Sequence, residues 1–384
     1  MIVETASGSE EAPLPPLYAP WLRAVSGGPI PRETVATCDR CVMLPAEGQP
    51  PGAEFFLPAV KCCAYQPTLP GFLAGRILGD ADPTMAYGRR ALERQIERRV
   101  GVVPGGVKSG AVFNLLFTLT PNVFGRAPDL KCPYLTDGGD CGVWRHRPGV
   151  CATWFCKHVR GETGFRFWRL ADKLFRAVES DLSLWCAAKM NLGKSELRDL
   201  DPVNAGRPHV SELGGPVDAV RYRELWGNWE GREKEFYRAA AALVEPLAWN
   251  GVLAICGPRV TILSELVRDA YEHLVSDALP DRLRLATFAM SGAADGKYRV
   301  ESYSPYDPAL VPEELVHALR YFDGRPTEEA LTAILTERNL RVDLRLVRRL
   351  VDFGLLKTEP DVERNARPDT GASGFPGSVR LPVR

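Results

Sequence analysis

Cys132-Pro-Tyr-Leu-Thr-Asp-Gly-Gly-Asp-Cys141-Gly-Val-Trp-Arg-His-Arg-Pro-Gly-Val-Cys151-Ala-Thr-Trp-Phe-Cys156 is the stretch around which the rest of this chain is read. It places four thiols in turns rich in Gly, Pro and Asp. Thiolates bind zinc and iron strongly, and turn backbones can aim several sulfurs at one centre. Upstream lie Cys38-x-x-Cys41 and the adjacent pair Cys62-Cys63. The grouping predicts a soft-metal site whose ligands are Cys38, Cys41, Cys62, Cys63, Cys132, Cys141, Cys151 and Cys156.

A disulfide framework is the competing reading of the same residues. It needs an oxidising compartment, and residues 1–20 lack the basic start and unbroken apolar core of a secretory signal. Bridges are rare in cytosolic proteins, and a chain of 384 residues can bury a core without staples. The expectation is a cytoplasmic protein with reduced thiols. Cys186 and Cys256 stand apart: one follows Trp185 on an apolar helix, the other ends the run Val252-Leu-Ala-Ile-Cys, so both read as core.

Lysine plus arginine equals aspartate plus glutamate at 48 each, so no global charge draws the chain to nucleic acid or an anionic membrane. No run approaches the roughly 18 apolar residues of a spanning helix. A row of arginines, Arg338, Arg341, Arg345, Arg348 and Arg349, leaves DNA as a partner only through a local basic face.

The predicted organisation is a proline-rich arm over 1–34, a cysteine-cluster domain with helical support over 35–280, a small α+β module over 281–360 and a disordered tail over 361–384. The fold class is mainly α, with irregular cysteine-rich metal-binding loops. Asp82-Pro83 opens a helix carrying Met85, Leu92 and Ile96 on one face and Arg90, Arg94 and Arg98 on another, the latter read as a solvated face with Glu93 and Glu97 interspersed. Trp168, Ala171, Phe175, Val178, Leu182 and Trp185 recur at helical spacing and predict a long helix over 164–190 that buttresses the cysteine turns. Helices are also expected near 229–248 and 261–277. Beyond Pro280, strands over 283–290 and 297–303 flank Asp295-Gly296, followed by helices near 312–321, 327–338 and 344–353, with Asp343 and Gly354 as caps of the last.

Cys132-Pro-Tyr-Leu, Cys141-Gly-Val-Trp-Arg-His-Arg-Pro-Gly-Val-Cys151 and Phe155-Cys156 together resemble the signature of the YkgJ-like CxxCxxCC family of zinc- or iron-chelating proteins, which includes the flagellin lysine methylases. The resemblance covers roughly residues 36–160 and implies a metal site. The chain departs from the family in the 20 residues that separate Cys41 from Cys62 and in Ala152, where an arginine commonly follows the cysteine. The region from the hairpin through Phe322-Asp323-Gly324-Arg325-Pro326-Thr327 to Gly354-Leu355-Leu356 resembles a PqqD-type winged-helix module. That likeness implies binding of a peptide by strand addition.

Adjacent cysteines point apart in most backbone conformations, so Cys62 and Cys63 suit a polynuclear cluster or two neighbouring centres better than one ion. The cofactor expected is an iron–sulfur cluster or zinc. Arg147, His146 and His158 flank the ligands as supporting groups. No Gly-x-Gly-x-x-Gly or Gly-x-Ser-x-Gly motif is present, so no catalytic residue is assigned. Two functions follow as expectations: a metal-dependent enzyme modifying or redox-coupled to a peptide or protein, or a zinc-stabilised interaction or DNA-binding regulatory protein without turnover.

Overall fold

Helix α1 (Tyr18–Ser26) falls within the stretch expected to be a proline-rich arm, and it is core. Tyr18, Trp21, Leu22 and Val25 share one helical face and are buried completely or nearly so. Pro20 does not prevent the helix because its first-turn position needs no amide donor. Trp21 Nε1 donates to the Leu247 carbonyl at 2.8 Å, which ties this segment to the far end of the helical part. The computed structural model describes residues 14–33, 41–46, 48, 52, 55–120, 122–192, 217–292 and 295–358. The remainder of the expected arm, the expected tail over 361–384 and Cys38 lie outside those residues.

The described chain is mainly helical with three small antiparallel sheets. Strand β1 (Leu69–Pro70) leads into α2 (Gly71–Gly79). The Asp82 carboxylate then accepts from the Thr84 amide at 2.9 Å, Pro83 takes the first helical position, and α3 (Ala86–Arg98) buries Leu92 and Ile96 as expected. Strands β2 (Val102–Val103) and β3 (Gly106–Val107) complete a sheet of order β1-β3-β2. Helices α4 (Ala111–Leu119) and α5 (Gly149–Ala152) flank the cysteine loops.

The predicted long helix is α6 (Gly161–Lys189), which buries Trp168, Ala171, Phe175, Val178 and Leu182. Around it lie α7 (Ala219–Trp226), α8 (Glu233–Val244), α9 (Trp249–Cys256) and α10 (Pro258–Val275). Helix α10 runs along α6, and α2 packs on α8. Cys186 and Cys256 are both buried, as read from their apolar neighbours. Helix α9 contains that second run; its eight residues are too few for periodicity to declare a helix. No single helix among the described residues is long and apolar enough to cross a membrane.

The C-terminal part contains β4 (Arg282–Leu285), β5 (Ala289–Gly292), β6 (Lys297–Glu301), β7 (Ala309–Pro312), α11 (Glu313–Ala318), β8 (Asp323–Pro326), α12 (Thr327–Arg338), α13 (Leu344–Asp352) and β9 (Leu356–Lys357). The strand expected over 283–290 is in fact two strands in different sheets. Leu285 pairs with Leu356 in the sheet β8-β4-β9, whereas Met290 pairs with Val300 in β5-β6-β7. Strand β9 arrives from about 70 residues further along, a partner that a local pattern cannot announce. The turn chemistry holds: Asp295 and Gly296 both take positive φ, +64° and +67°. Asp343 caps α13 by accepting from the Leu346 amide at 2.8 Å, and Gly354 closes it at φ +71°.

Leu283, Val300, Phe322, Ile334, Val347 and Leu356 form an apolar cluster of their own within this part. Polar contacts join it to the cysteine region. Arg160, just before α6, grips Asp352 through Nε at 2.7 Å and Nη2 at 2.9 Å. The neighbouring amides of His158 and Val159 donate to Asp307 at 3.1 Å and to Glu33 at 2.6 Å.

Glu33 is buried, and its other oxygen accepts from Trp168 Nε1 at 3.0 Å. Burial raises its pKa from 4.5 to about 7 against these two donors, with Asp307 adding to the rise. A folded-state pKa above the unfolded one means stability that is full below pH 4.5 and lost as pH rises through 7. The size is on the order of 3 kcal/mol. Glu33→Gln is expected to flatten the unfolding free energy between pH 5 and 8 in urea titrations; a slope equal to the parent's would show that Glu33 does not bind that proton.

Candidate metal centre

Three short segments carry the thiols, and backbone hydrogen bonds hold them together. Cys62 and Cys63 sit on a tight 3-10 turn (Lys61–Cys63) whose entry forces Lys61 to φ +47°. The Cys63 carbonyl accepts from the Cys132 amide at 2.7 Å, so the first pair is tied directly to the second block. From there Pro133 to Gly142 fold into a compact loop. Thr136 N donates to Asp140 O at 2.8 Å, Gly142 N to Tyr134 O at 2.8 Å, and Leu135 bridges Cys141. Cys132 and Cys141 therefore stand at the base of one loop. The loop rests on α3 through a backbone contact: a Cβ on Gly88 would lie 2.0 Å from the Gly142 carbonyl oxygen.

Cys151 is placed from the other side by α5, the single turn that follows Arg147-Pro148. The Gly149 amide at its start donates to Glu179 Oε1 at 2.6 Å, and Tyr18 donates its hydroxyl to the same oxygen. Glu179 projects from the apolar stripe of α6, where burial holds its pKa up at about 7. Gly149 has no room for a side chain, since an added Cβ would lie 2.5 Å from Cβ of Phe175. The long helix thus buttresses the cysteine turn through one ring and one carboxylate.

These segments bring Cys62, Cys63, Cys132, Cys141 and Cys151 around a single cavity of about 90 Å³. Its walls are aromatic and aliphatic, with Tyr65, Phe124, Tyr134, Trp144 and Trp154 among them; Arg147 and Arg176 supply its positive charge. No histidine, aspartate or glutamate lines it. Among the described residues no group of three Cys, His, Asp or Glu side chains converges on the position of one metal ion. The five cysteines share the walls of one cavity with these aromatic rings.

The electrostatics show what such a space lacks. Burial pushes the Cys132 thiol up to about 12, with Cys141 raising it further against the Tyr134 and Leu135 amides. Cys151 is held well above the usual thiol range, first by burial and then by Cys141, Cys132 and Cys62; Arg147 opposes the rise. For Cys63 the hydrogen bond with Cys62 is the largest influence and favours the thiolate. Burial and the charges of Cys132, Cys141 and Cys151 together outweigh it. These shifts favour neutral thiols, and a bound cation would favour the thiolates instead. Cysteine sulfurs without carboxylate or imidazole fit zinc or an iron–sulfur cluster and disfavour hard cations, which need oxygen ligands.

The other predicted site residues are distributed as follows. Cys156 is buried in an adjoining cluster with Met43, Phe56, Phe124 and Leu130; Cys41 and Cys62 border that cluster, so Cys62 faces both neighbourhoods. Arg147 lines the cavity, with its guanidinium 3.6 Å from the Trp144 ring centroid and Nη1 donating to the Trp144 carbonyl at 2.7 Å. His146 does not line it. Its Nε2 lies 2.8 Å from Asp80, in a group completed by Arg145. His158 does not line it either; it is buried among Phe155, Phe165 and Tyr303, and desolvation lowers its pKa to about 3. All nine described cysteines are thiols rather than disulfides.

Sequence reading missed Arg176 and Glu179. A usable signal existed: Asp172, Arg176 and Glu179 interrupt the apolar stripe of α6 at helical spacing, and Arg176 Nε holds Asp172 at 2.9 and 3.0 Å. It also missed Tyr306, which reaches from the C-terminal part to within 6.2 Å of the Phe124 ring and 6.4 Å of Trp154, two walls of the cavity.

No protein-family model, curated protein or solved structure matches this chain. The case for the site therefore rests on its own geometry. Gly149→Ala is expected to displace α5 from Phe175 and to cost about 1–3 kcal/mol of stability, the usual penalty of overpacking. Urea unfolding of the variant reads this directly, and an unchanged midpoint would mean that α5 yields without strain.

Proposed function

We propose that this protein holds an iron–sulfur cluster or zinc on Cys62, Cys63, Cys132, Cys141 and Cys151, with Cys41 and Cys156 serving an adjoining position. The observation that carries the reading is that five cysteines from three segments line one cavity that has no carboxylate or imidazole. When bound, an iron–sulfur group supplies electron transfer or a Lewis-acidic iron, and zinc supplies a closed tetrahedral anchor. The chain's own contribution is to bury the sulfurs, to set Arg147 beside them and to wall the cavity with aromatic rings.

The proposed role is a modifying or redox enzyme acting on a peptide or protein. The resemblance of residues 36–160 to the YkgJ-like family supports it, as does the likeness of the C-terminal part to a PqqD-type winged-helix module. Tyr306 adds a physical link, because the C-terminal part touches walls of the thiol cavity through this ring. A cytoplasmic location follows from the need for reduced thiols.

A second reading, structural zinc in a non-enzymatic interaction or DNA-binding protein, is favoured by one feature. The cysteines lie on short loops and single turns rather than on long elements, which is where a structural metal contributes most. Under that reading a chelator unfolds the cysteine region, since metal affinity is then folding energy. Replacing Cys62, Cys132, Cys141 and Cys151 singly by serine is expected to lower the metal bound per chain, measured by elemental analysis. Full retention in all four variants would overturn the site.

A further inference from the structure

A second cavity, of about 440 Å³, opens on the outer face of α3, and Arg94, Arg98 and Lys131 line it. The two arginines stand one turn apart, where like charges repel unless something answers them. The expected answer was Glu93 and Glu97 on the same helix. Those carboxylates are engaged elsewhere: Lys234 of α8 lies 3.9 Å from Glu93 and 3.2 Å from Glu97. Arg94 and Arg98 form no ion pair with a carboxylate among the described residues. Lys131 has Asp137 at 3.5 Å, but Asp137 is 95% exposed and its attraction is screened by solvent.

The floor of this cavity is preorganised. Gln95 donates to the carbonyls of Lys108 at 3.0 Å and Val100 at 3.4 Å, and its oxygen accepts from Tyr134 at 3.3 Å and from buried Gln66 at 3.5 Å. Ala91, Val100 and Pro133 give the remaining surface an apolar patch. Three cations over a held polar floor suit an anion with several oxygens. Guanidinium groups bind phosphate oxygens in pairs, and the volume falls within the range of small-molecule sites rather than that of a single ion.

We infer that this cavity binds a phosphorylated small molecule, with its phosphates on Arg94, Arg98 and Lys131 and its body over Val100 and Pro133. The site uses none of the cysteines and goes beyond the metal reading. The test is calorimetric titration of the full-length protein with ATP and with pyrophosphate, at ionic strength matched with sodium chloride. ATP is expected to bind saturably and more tightly than pyrophosphate. Arg94→Gln and Arg98→Gln are each expected to weaken ATP at least tenfold, the scale of one lost charge-assisted contact. Thermal unfolding and metal content should stay at parental levels, which separates loss of the site from loss of the fold or of the thiol centre. Absence of saturable ATP binding, affinity unchanged in both variants, equal affinity for pyrophosphate, or binding of a polyglutamate peptide in place of ATP would each overturn the inference.

Discussion

Crowding of five thiols into one desolvated cavity is the constraint on which the rest of this structure depends. A buried thiol resists ionisation, and a second thiolate nearby raises the cost. Arg147 offsets part of this for Cys151, but Cys132 at about 12 and Cys151 well above the usual range remain neutral thiols. On the proposed reading, a cation held by the sulfurs would lower these values and let several thiolates coexist in the cavity. Around it the chain invests in placement: Gly88 and Gly142 in backbone contact, Gly149 against Phe175, and the Cys132 amide on the Cys63 carbonyl.

Placement runs outward through α6. Its apolar stripe carries Phe175 and Glu179 to the turn of Cys151, and the three residues that precede it carry the joint to the C-terminal part. Within the five residues after Cys156, the chain offers two amides to Asp307 and Glu33 and a guanidinium to Asp352. The cysteine region and the C-terminal cluster therefore meet at a few buried polar contacts, with Tyr306 reaching past them to the cavity wall. Buried acids at this joint bind protons that exposed ones would not, which links the stability of the docking to pH.

Much of this was legible in the sequence, for identifiable reasons. The period of Trp168, Ala171, Phe175, Val178 and Leu182 is long and strong, and α6 stands where it points. Asp82-Pro83, Asp343, Asp295-Gly296 and Gly354 are local signals whose chemistry does not depend on distant partners. The cysteine spacing grouped eight thiols without separating the five that line the cavity from Cys41 and Cys156, which pack with Phe56 and Phe124. What stayed hidden is long-range. The burial of α1 depends on Leu247 and Glu179, more than 150 residues away, and composition alone made that segment look like an arm. The split of 283–290 depends on β9. The charged face of α3 looked evenly mixed until Lys234 drew its carboxylates to one side.

X-ray absorption at the metal edge, on protein purified without oxygen, tests the central claim most directly. A metal held by the cysteines would show a first coordination shell made of sulfur alone, at about 2.3 Å if the metal is zinc, whether or not iron neighbours are also seen. A shell containing nitrogen or oxygen from protein ligands, or a protein that retains no metal while its cysteines remain reduced, would contradict it.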